Sequence, residues 1–374
     1  MRMLGPALAL LAVLAVPCAQ AGMTLSTIAQ SRSLTITSDI LPPITSPSTD
    51  EVWIGQSSVR TSLAADVTRS LSVVVTGGAG FSGLDEAVGG TDVSGPTDLR
   101  AKLFYRAWQD RLLVGAGLVV PTGKEAFAAD ELTTAQWTWN PLCGFPVKRL
   151  GEGLGGDFTA AAALPLGSSA VIGLGAGYYS RGEYDLRSDA DSRYRPGAEI
   201  SGTAGIDFPG ESRTLRFAVT YRGYETDELN GAASVDQGDQ IEGGASFTTG
   251  GARISGTLGA RAIVKSDNTY YGADPDVPTV QSGGNSYFLS GRLAWAAAEK
   301  VFLFGDASWN KFTDFGITTQ AVNGSSLTIG PGLGWRPSRA VELAIRGAYA
   351  FGGTDDGTID FTGYDVATSF TLHR

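Results

Sequence analysis

The chain has 374 residues, and its 38 acidic and 28 basic side chains give it a net charge of −10. Because nucleic-acid phosphates need basic partners, this acidity argues against DNA or RNA binding. A single histidine excludes a multi-histidine zinc cluster. Neither a metal nor another cofactor is expected.

The N-terminal segment has the pattern of a secretory signal. Arg2 supplies the positive charge, an apolar run extends over 4–16, and a small-x-small cleavage site stands at 19–21. The apolar run is shorter than the roughly 20 residues that a membrane-spanning helix needs. We therefore predict a signal peptide at 1–21 that exports the remainder of the chain, 22–374.

Cys18 permits a second interpretation, a lipoprotein signal, but Pro17 precedes it where a small residue is expected. After removal of the signal only Cys143 remains, which excludes an intramolecular disulfide. We expect Cys143 to be a loop thiol without a special role.

Apolar and polar residues alternate with a period of two from about Trp53 to the C-terminus, most clearly over 341–351. Successive side chains of a strand point to opposite faces, so one face of each segment suits hydrocarbon and the other suits water. No later stretch is apolar enough for a membrane-spanning helix, and a membrane protein without such helices must close a sheet. These features predict an all-β fold, a transmembrane antiparallel up-and-down β-barrel in the cell outer membrane.

Short turns and long polar loops alternate along the chain, as in outer-membrane barrels, where the turns are periplasmic and the loops extracellular. The predicted turns lie at 65–69, 109–111, 165–169, 209–213, 249–251, 298–300 and 336–339. The predicted loops lie at 78–96, 122–155, 182–192, 225–237, 266–284, 313–324 and 352–357. The many loop carboxylates indicate either a surface that attracts cations or other ligands, or simply a solvated face.

Seven hairpins and a final strand over about 364–373 give fifteen strands, whereas single-chain bacterial barrels have an even number. The alternating segment from Ser31 to Ile40 supplies a first strand, so we predict about sixteen. The number of strands is twelve or fourteen if that segment is a plug or if the hairpin around Gly250 is a loop. The spacing of the turns also permits a β-propeller, but each repeat has two long strands where a blade has four.

Aromatic side chains on the predicted outward row lie at two depths. Near the short turns are Tyr105, Trp295 and Trp335, and farther along their strands are Tyr221, Trp309, Tyr349 and Phe351. At ~3.3 Å per residue and a tilt near 40°, nine residues rise about 23 Å, close to the apolar band of about 25 Å. This predicts two interfacial girdles, which Trp108 does not join because its parity is inward.

The inward row is polar and of mixed charge. A cation facing lipid near the midplane costs about 2–4 kcal/mol, so these charges are expected to face the lumen. The candidate lumen and selectivity residues are Arg100, Lys102, Arg106, Arg216, Arg222, Arg261, Arg292, Arg346, Glu242, Asp306 and Glu342, and further inward charges are Arg60, Lys265, Asp98, Asp157, Glu199 and Asp207. They form either a structural lattice of salt bridges or a field that selects solutes. The best candidate for a selectivity ladder is Arg100, Lys102 and Arg106, on one face of one strand.

Four aromatic side chains also fall on inward positions. These candidate lumen aromatics are Phe104, Phe288, Phe302 and Phe304. They form an apolar slide or constriction, or they pack beneath a loop that folds inward. The loop best suited to fold inward is 122–155, with Trp137 and Trp139.

Signals for catalysis or cofactor binding are weak. The glycines at 78–83 match a dinucleotide-binding pattern, but more glycine and acid follow instead of the helix that would hold a pyrophosphate. The only histidine, His373, stands at the chain end, where it is a poor general base. We therefore expect a protein that is not an enzyme.

The segments 98–106, 110–111 and 117–124, the last ending in a Pro-Thr-Gly corner, resemble a strand–turn–strand unit of the MetA-like outer-membrane proteins associated with phenol degradation. The FadL-like channels for hydrophobic compounds are a more distant resemblance. The resemblance implies uptake of small, often aromatic or apolar compounds. The last residue, Arg374, departs from the pattern, because outer-membrane barrels commonly end in Phe.

The leading functional hypothesis is a porin-like outer-membrane channel for passive uptake of small solutes. The alternative is a non-transporting barrel with an adhesive or structural role at the surface. Expected partners are outer-membrane lipid and lipopolysaccharide, the outer-membrane assembly machinery and a small-molecule solute. The oligomeric state stays open.

Overall fold

The structure, a computed structural model, describes residues 22–38, 51–85, 89–140, 143–272, 278–316 and 321–374. Its strands are β1 Met23–Ser38, β2 Glu51–Asp66, β3 Leu71–Leu84, β4 Val93–Pro96, β5 Leu99–Ala107, β6 Leu112–Val120, β7 Gly155–Leu166, β8 Ala170–Arg181, β9 Tyr184–Asp185, β10 Arg193–Arg195, β11 Glu199–Pro209, β12 Arg213–Tyr224, β13 Asp227–Leu229, β14 Ala232–Asp236, β15 Gln240–Gly250, β16 Ile254–Lys265, β17 Asn268–Tyr270, β18 Thr279–Gln281, β19 Asn285–Ala298, β20 Val301–Gly316, β21 Ala321–Ser338, β22 Val341–Thr354 and β23 Ile359–His373. One helix, α1, spans Ala129–Trp139. The predicted signal peptide, 1–21, lies outside the described residues.

Neighbouring long strands pair antiparallel, and β23 pairs with β1, which closes the sheet. The short strand β4 and the strand β5 both pair with β3, so together they occupy one position in the wall. The wall therefore has sixteen strand positions. The hairpin around Gly250 forms as β15 and β16. The predicted sixteen-strand antiparallel barrel is confirmed.

Several predicted boundaries were wrong. Strand β1 begins at Met23 rather than Ser31, and β3 continues to Leu84 through glycines that were assigned to a loop. Pairing with β2 keeps these glycines extended, and a Cβ at Gly78 would overlap the carbonyl oxygen of Val59. Close pairing between strands thus outweighs the low strand propensity of glycine.

The long loops at one end of the barrel form a second sheet. Its six short strands are β9, β10, β13, β14, β17 and β18. Asp227, almost fully buried, accepts hydrogen bonds from the Gly197 N–H at 2.7 Å and from Gln237 Nε2 at 2.9 Å, and also from the Tyr194 hydroxyl. This end of the barrel therefore carries ordered loops.

Register separates the two faces of the wall, because directly opposed residues of neighbouring strands share a face. The outer face is apolar, and the predicted girdle residues Tyr105, Tyr221, Trp295, Trp335, Tyr349 and Phe351 are 40–54% exposed. Trp309 lies on the same face, opposite Leu327. Trp108 belongs to neither row, because it lies in a turn with a φ of 54°.

The hydrophobic core lies inside the barrel, between the inner wall and the loop that joins β6 to β7. We call residues 121–154 the infolded segment. Cys143 and Phe145 of this segment pack against the inner side chains Leu34 and Ile54, among others. A second cluster joins Val147 and other residues of the segment to Val93. The predicted inward-folding loop is therefore packed within the lumen.

Candidate functional site in the barrel lumen

The carboxylate of Asp98 holds both ends of the infolded segment. It accepts hydrogen bonds from the N–H of Gly123 at 2.9 Å and from the N–H of Glu152 at 2.6 Å. The Asp98 N–H in turn donates to the carbonyl oxygen of Leu150 at 3.0 Å. Asp98 is buried, and hydrogen bonds to an ionised acceptor are among the stronger ones in proteins. One side chain therefore fixes where the segment leaves the wall and where it returns.

Helix α1 stiffens the infolded segment. Its first turn contains Asp130 and Glu131, which suit the positive end of a helix dipole, and Glu131 Oε2 accepts the Ala128 N–H at 2.9 Å. Thr134 joins the helix to the preceding loop, where its hydroxyl donates to the carbonyl oxygen of Thr91 at 2.7 Å. These contacts hold the segment as an ordered body inside the lumen.

Cys143 lies in the middle of this packing and is 2% exposed. Burial raises the pKa of its thiol to about 12, although the nearby cations Arg32 and Lys148 act in the opposite direction. Cys143 lies in a loop, as predicted. Its side chain, however, belongs to the hydrophobic core.

A chain of ion pairs runs along the inner wall beneath the infolded segment. Arg32 pairs with Asp365 at 3.6 Å, and Asp365 pairs with Arg346 at 3.5 Å. Arg346 pairs with Asp306 at 2.7 Å, which also binds Arg292 at 3.3 Å. Arg32 and Asp365 are almost fully buried. Alternating charges on β1, β23, β22, β20 and β19 thus neutralise one another along this part of the wall.

Each of the eleven candidate lumen and selectivity charges forms at least one ion pair. The pairs are Arg100–Glu152, Lys102–Asp157, Arg106–Asp66, Arg216–Asp207, Arg222–Glu199, Arg222–Glu242, Arg261–Glu242, Arg292–Asp306, Arg346–Asp306 and Arg336–Glu342. Each member of the predicted ladder Arg100, Lys102 and Arg106 has its own acidic partner. The geometry favours the salt-bridge lattice, and a role in selectivity stays a prediction.

The inward aromatic rings lie flat on the wall. A Cβ at Gly332 would overlap the ring of Phe304, and a Cβ at Gly334 would overlap the ring of Phe302. The rings therefore occupy the space that cross-strand glycines leave open. Phe104 is placed against Gly115 in a similar way. A role of these three rings in an apolar slide or constriction stays a prediction.

Guanidinium groups cover several of these rings. Arg292 lies 4.4 Å from the ring centroid of Phe304, and Arg336 lies 4.6 Å from that of Phe302. Arg261 lies 4.2 Å from the centroid of Phe288, within the range of a cation–π contact. Phe288 also packs edge-on against Phe312, beside the cluster of the infolded segment.

A cavity of about 450 Å³ lies between the infolded segment and the wall. The wall contributes Arg60 and Arg100, and the segment contributes Arg149 and Glu152. Arg149 was not predicted from the sequence, because the alternation of strand residues does not extend into loops. The sequence does show one signal that could have indicated Arg149, which is the concentration of aromatic and basic residues within one long loop.

No helix in the described part of the chain is long and apolar enough to cross a membrane. No group of three or more metal-binding side chains among the described residues is arranged to hold a metal ion.

No protein-family model matches the sequence. No curated protein matches it either. A closed barrel with an apolar outer band and a charged interior is nevertheless the architecture of outer-membrane β-barrels.

Several solved outer-membrane channels are similar in fold at low sequence identity. The outer membrane channel DcaP of Acinetobacter baumannii is 10% identical, with 95% of this chain and 98% of that chain covered and a TM-score of 0.45. Pseudomonas aeruginosa OpdK, solved with vanillate, is 11% identical, with 94% and 99% covered and a TM-score of 0.44. The COG4313 outer membrane channel from Pseudomonas putida F1 is 10% identical, with 95% and 96% covered and a TM-score of 0.39. Similarities at this level do not assign the chain to a family.

Proposed function

We propose that the chain is an outer-membrane channel through which small solutes pass by diffusion. The observation that carries this proposal is a closed sixteen-position wall with an apolar outside, a charged inside and the infolded segment within it. Barrels of about sixteen strands are wide enough for an aqueous lumen, whereas eight-strand barrels are filled by side chains or hold one small ligand. The infolded segment narrows the lumen, so the solute path runs beside it.

The solutes of this channel are small aromatic or apolar compounds, as the resemblance to MetA-like and FadL-like proteins implies. Phe302 and Phe304 support this, because their rings lie on the inner wall with guanidinium groups over them. A planar solute can stack on the free face of such a guanidinium group. Arg292 and Arg336 are each about half exposed, so this face is accessible from the lumen.

Reconstitution of the purified protein into planar bilayers and liposomes tests the channel. We expect discrete conductance steps and swelling of liposomes in a small neutral sugar. A variant in which a short Gly-Ser linker replaces 126–148 keeps Gly123 and Glu152 at Asp98 and should conduct more. If neither the parent nor this variant conducts or permits swelling, the proposal fails.

Ion selectivity gives a second test of the channel. Arg100→Glu and Arg106→Glu should shift the ion preference toward cations, because each reverses a charge on the inner wall. Unchanged reversal potentials in both variants would show that these residues lie away from the narrowest part of the path.

The ordered loop sheet favours a second candidate, a surface barrel that binds a partner and transports nothing. The six short strands of this sheet and the buried Asp227 form a surface at the end of the barrel with the long loops. Deletion of β13 and β14 distinguishes the two candidates. Loss of surface adhesion with unchanged permeability would favour this second candidate over a channel.

A further inference from the structure

We propose that the 450 Å³ cavity beside the infolded segment is a binding site for a small monocarboxylate with an apolar body. The proposal rests on the channel function and deepens it by naming the class of solute that pauses in the lumen. The volume lies within the range of about 300–1,000 Å³ that is typical of small-molecule sites.

Three arginines from separate parts of the chain meet at this cavity. Arg60 lies on β2, Arg100 on β5 and Arg149 on the infolded segment. Two carboxylates, Asp98 and Glu152, also line it, which leaves a formal charge of +1. The whole chain is strongly acidic, with a net charge of −10, so a basic cavity in its lumen is a local exception.

Both carboxylates are already bound to other groups of the chain. Asp98 accepts two backbone N–H groups at the ends of the infolded segment. Glu152 accepts Arg100 at 2.9 Å and the Tyr179 hydroxyl at 3.2 Å. The two carboxylates at the cavity therefore hold the infolded segment and Arg100 in place.

Two arginines keep their charge available to a ligand. Within the described part of the chain, the Arg60 side chain forms no ion pair, and Arg149 has no acidic partner. Arg149 is instead positioned by neutral groups, since its Nη1 donates to the Tyr184 hydroxyl at 3.1 Å and its guanidinium lies 5.3 Å from the ring of Trp139. A guanidinium held in this way is suited to binding a carboxylate with two parallel hydrogen bonds.

The remaining lining fixes the rest of the ligand. Ile28 and Leu150 provide apolar contacts, and Ser62 and Thr76 provide hydroxyl groups. A formal charge of +1 is neutralised by one carboxylate, whereas a second carboxylate would face Glu152. These features select a monoanion with an apolar body over a dianion or a cation.

Benzoate and its uncharged isostere benzamide test this site, because they share a shape and differ in charge. Titration calorimetry on the folded protein in detergent should show saturable binding of benzoate and none of benzamide at the same concentrations. Arg60→Gln and Arg149→Gln should each weaken benzoate binding about tenfold, the effect of losing one hydrogen bond to a charged group. Arg213→Gln, the same charge change on the outer face beside a turn, should leave benzoate binding unchanged.

The results of these experiments distinguish a failure of the proposed binding site from a failure of the proposed channel. Equal binding of benzoate and benzamide, or equal loss in all three variants, overturns the site even where liposomes swell in neutral sugar. Charge-dependent binding without conductance upholds the site and counts against the channel. If Arg60→Gln fails to fold, as judged by heat-modifiable migration in gels, Arg60→Lys replaces it and should bind benzoate better than Arg149→Gln.

Discussion

Gln56 on β2 binds Val147 of the infolded segment through both atoms of its side-chain amide. Its Nε2 donates to the carbonyl oxygen of Val147 at 2.7 Å, and the N–H of Val147 donates to its Oε1 at 2.8 Å. The pair is buried, so water does not replace either bond. The side chain thus pairs with the segment as the backbone of a neighbouring strand would.

Gln56→Leu should loosen the infolded segment, because it leaves the N–H and the carbonyl group of Val147 without partners. Each unsatisfied buried group costs about 1–3 kcal/mol. We expect faster limited proteolysis within 121–154 and a noisier open-channel current in bilayers. Gln240→Leu is the control, because Gln240 lies on the inner wall away from the segment, where its Oε1 accepts the Tyr224 hydroxyl at 3.1 Å. Identical proteolysis of the two variants would contradict the role of Gln56.

Cys143 should report the position of the infolded segment. Its thiol is buried and its pKa is raised to about 12, so at pH 8 only on the order of one thiol in ten thousand is ionised, and the thiolate is the reactive form. We expect a disulfide reagent such as DTNB to leave the native protein unmodified and to react fully after denaturation. The Gln56→Leu variant should react faster than the native protein. Native and denatured protein reacting at the same rate would show that the segment is not packed in the lumen.

The sequence predicted the wall because strand alternation is a local signal. A period of two can be read within a few residues, and it placed Arg216, Glu242 and the girdle residue Trp295 on the correct faces. The ion pairs could not be predicted from the sequence, because which side chains meet depends on the register between strands. Arg32 and Asp365 meet only because β23 closes against β1.

The packed lumen left a partial signal in the sequence. Leu34, Ile36, Val52 and Ile54 are apolar yet lie on the inward row, where a water-filled lumen would favour polar residues. Such a patch needs a cover, and the infolded segment supplies it. The position of Arg149 could not be predicted, because loop geometry follows from contacts such as Asp98 with Glu152 that have no periodic pattern.

Removal of the charge on Asp365 should destabilise the barrel strongly. Asp365→Asn leaves the guanidinium of Arg32 buried without a negative partner, and breaking a buried pair costs about 3–5 kcal/mol. The measurement is urea unfolding of the protein folded into lipid vesicles. Asp207→Asn is the matched control, because its partner Arg216 is mostly exposed and such a pair contributes about 0–1 kcal/mol. Similar losses in the two variants would indicate that water reaches Arg32.

Docking of the infolded segment should depend on pH through Glu125. Burial raises the pKa of this carboxyl group, and the nearby acids Asp98 and Asp185 raise it further. Because the pKa of Glu125 is raised in the folded protein, this carboxyl group contributes its full stabilisation below the ordinary pKa of glutamic acid. That contribution is lost as the pH rises through the pKa of the folded state. Glu125→Gln should therefore slow proteolysis of the segment at pH 8 and change it little at pH 4. Faster proteolysis of the variant at pH 8 would reverse the sign and refute this account.

Two adjacent residues in the middle of β12 separate the lipid-facing side of the wall from the lumen. Val219 lies on the outer face and is 54% exposed, whereas Thr220 lies on the inner face opposite Glu242. Val219→Arg should lower the free energy of unfolding in lipid vesicles by about 2–4 kcal/mol, the cost of an arginine near the bilayer midplane. Thr220→Arg introduces the same side chain beside a carboxylate in the lumen, so we expect a change within about 1 kcal/mol. Because the two substitutions introduce the same side chain at adjacent positions on opposite faces, equal losses of stability would mean that the outer face of β12 is not in contact with hydrocarbon.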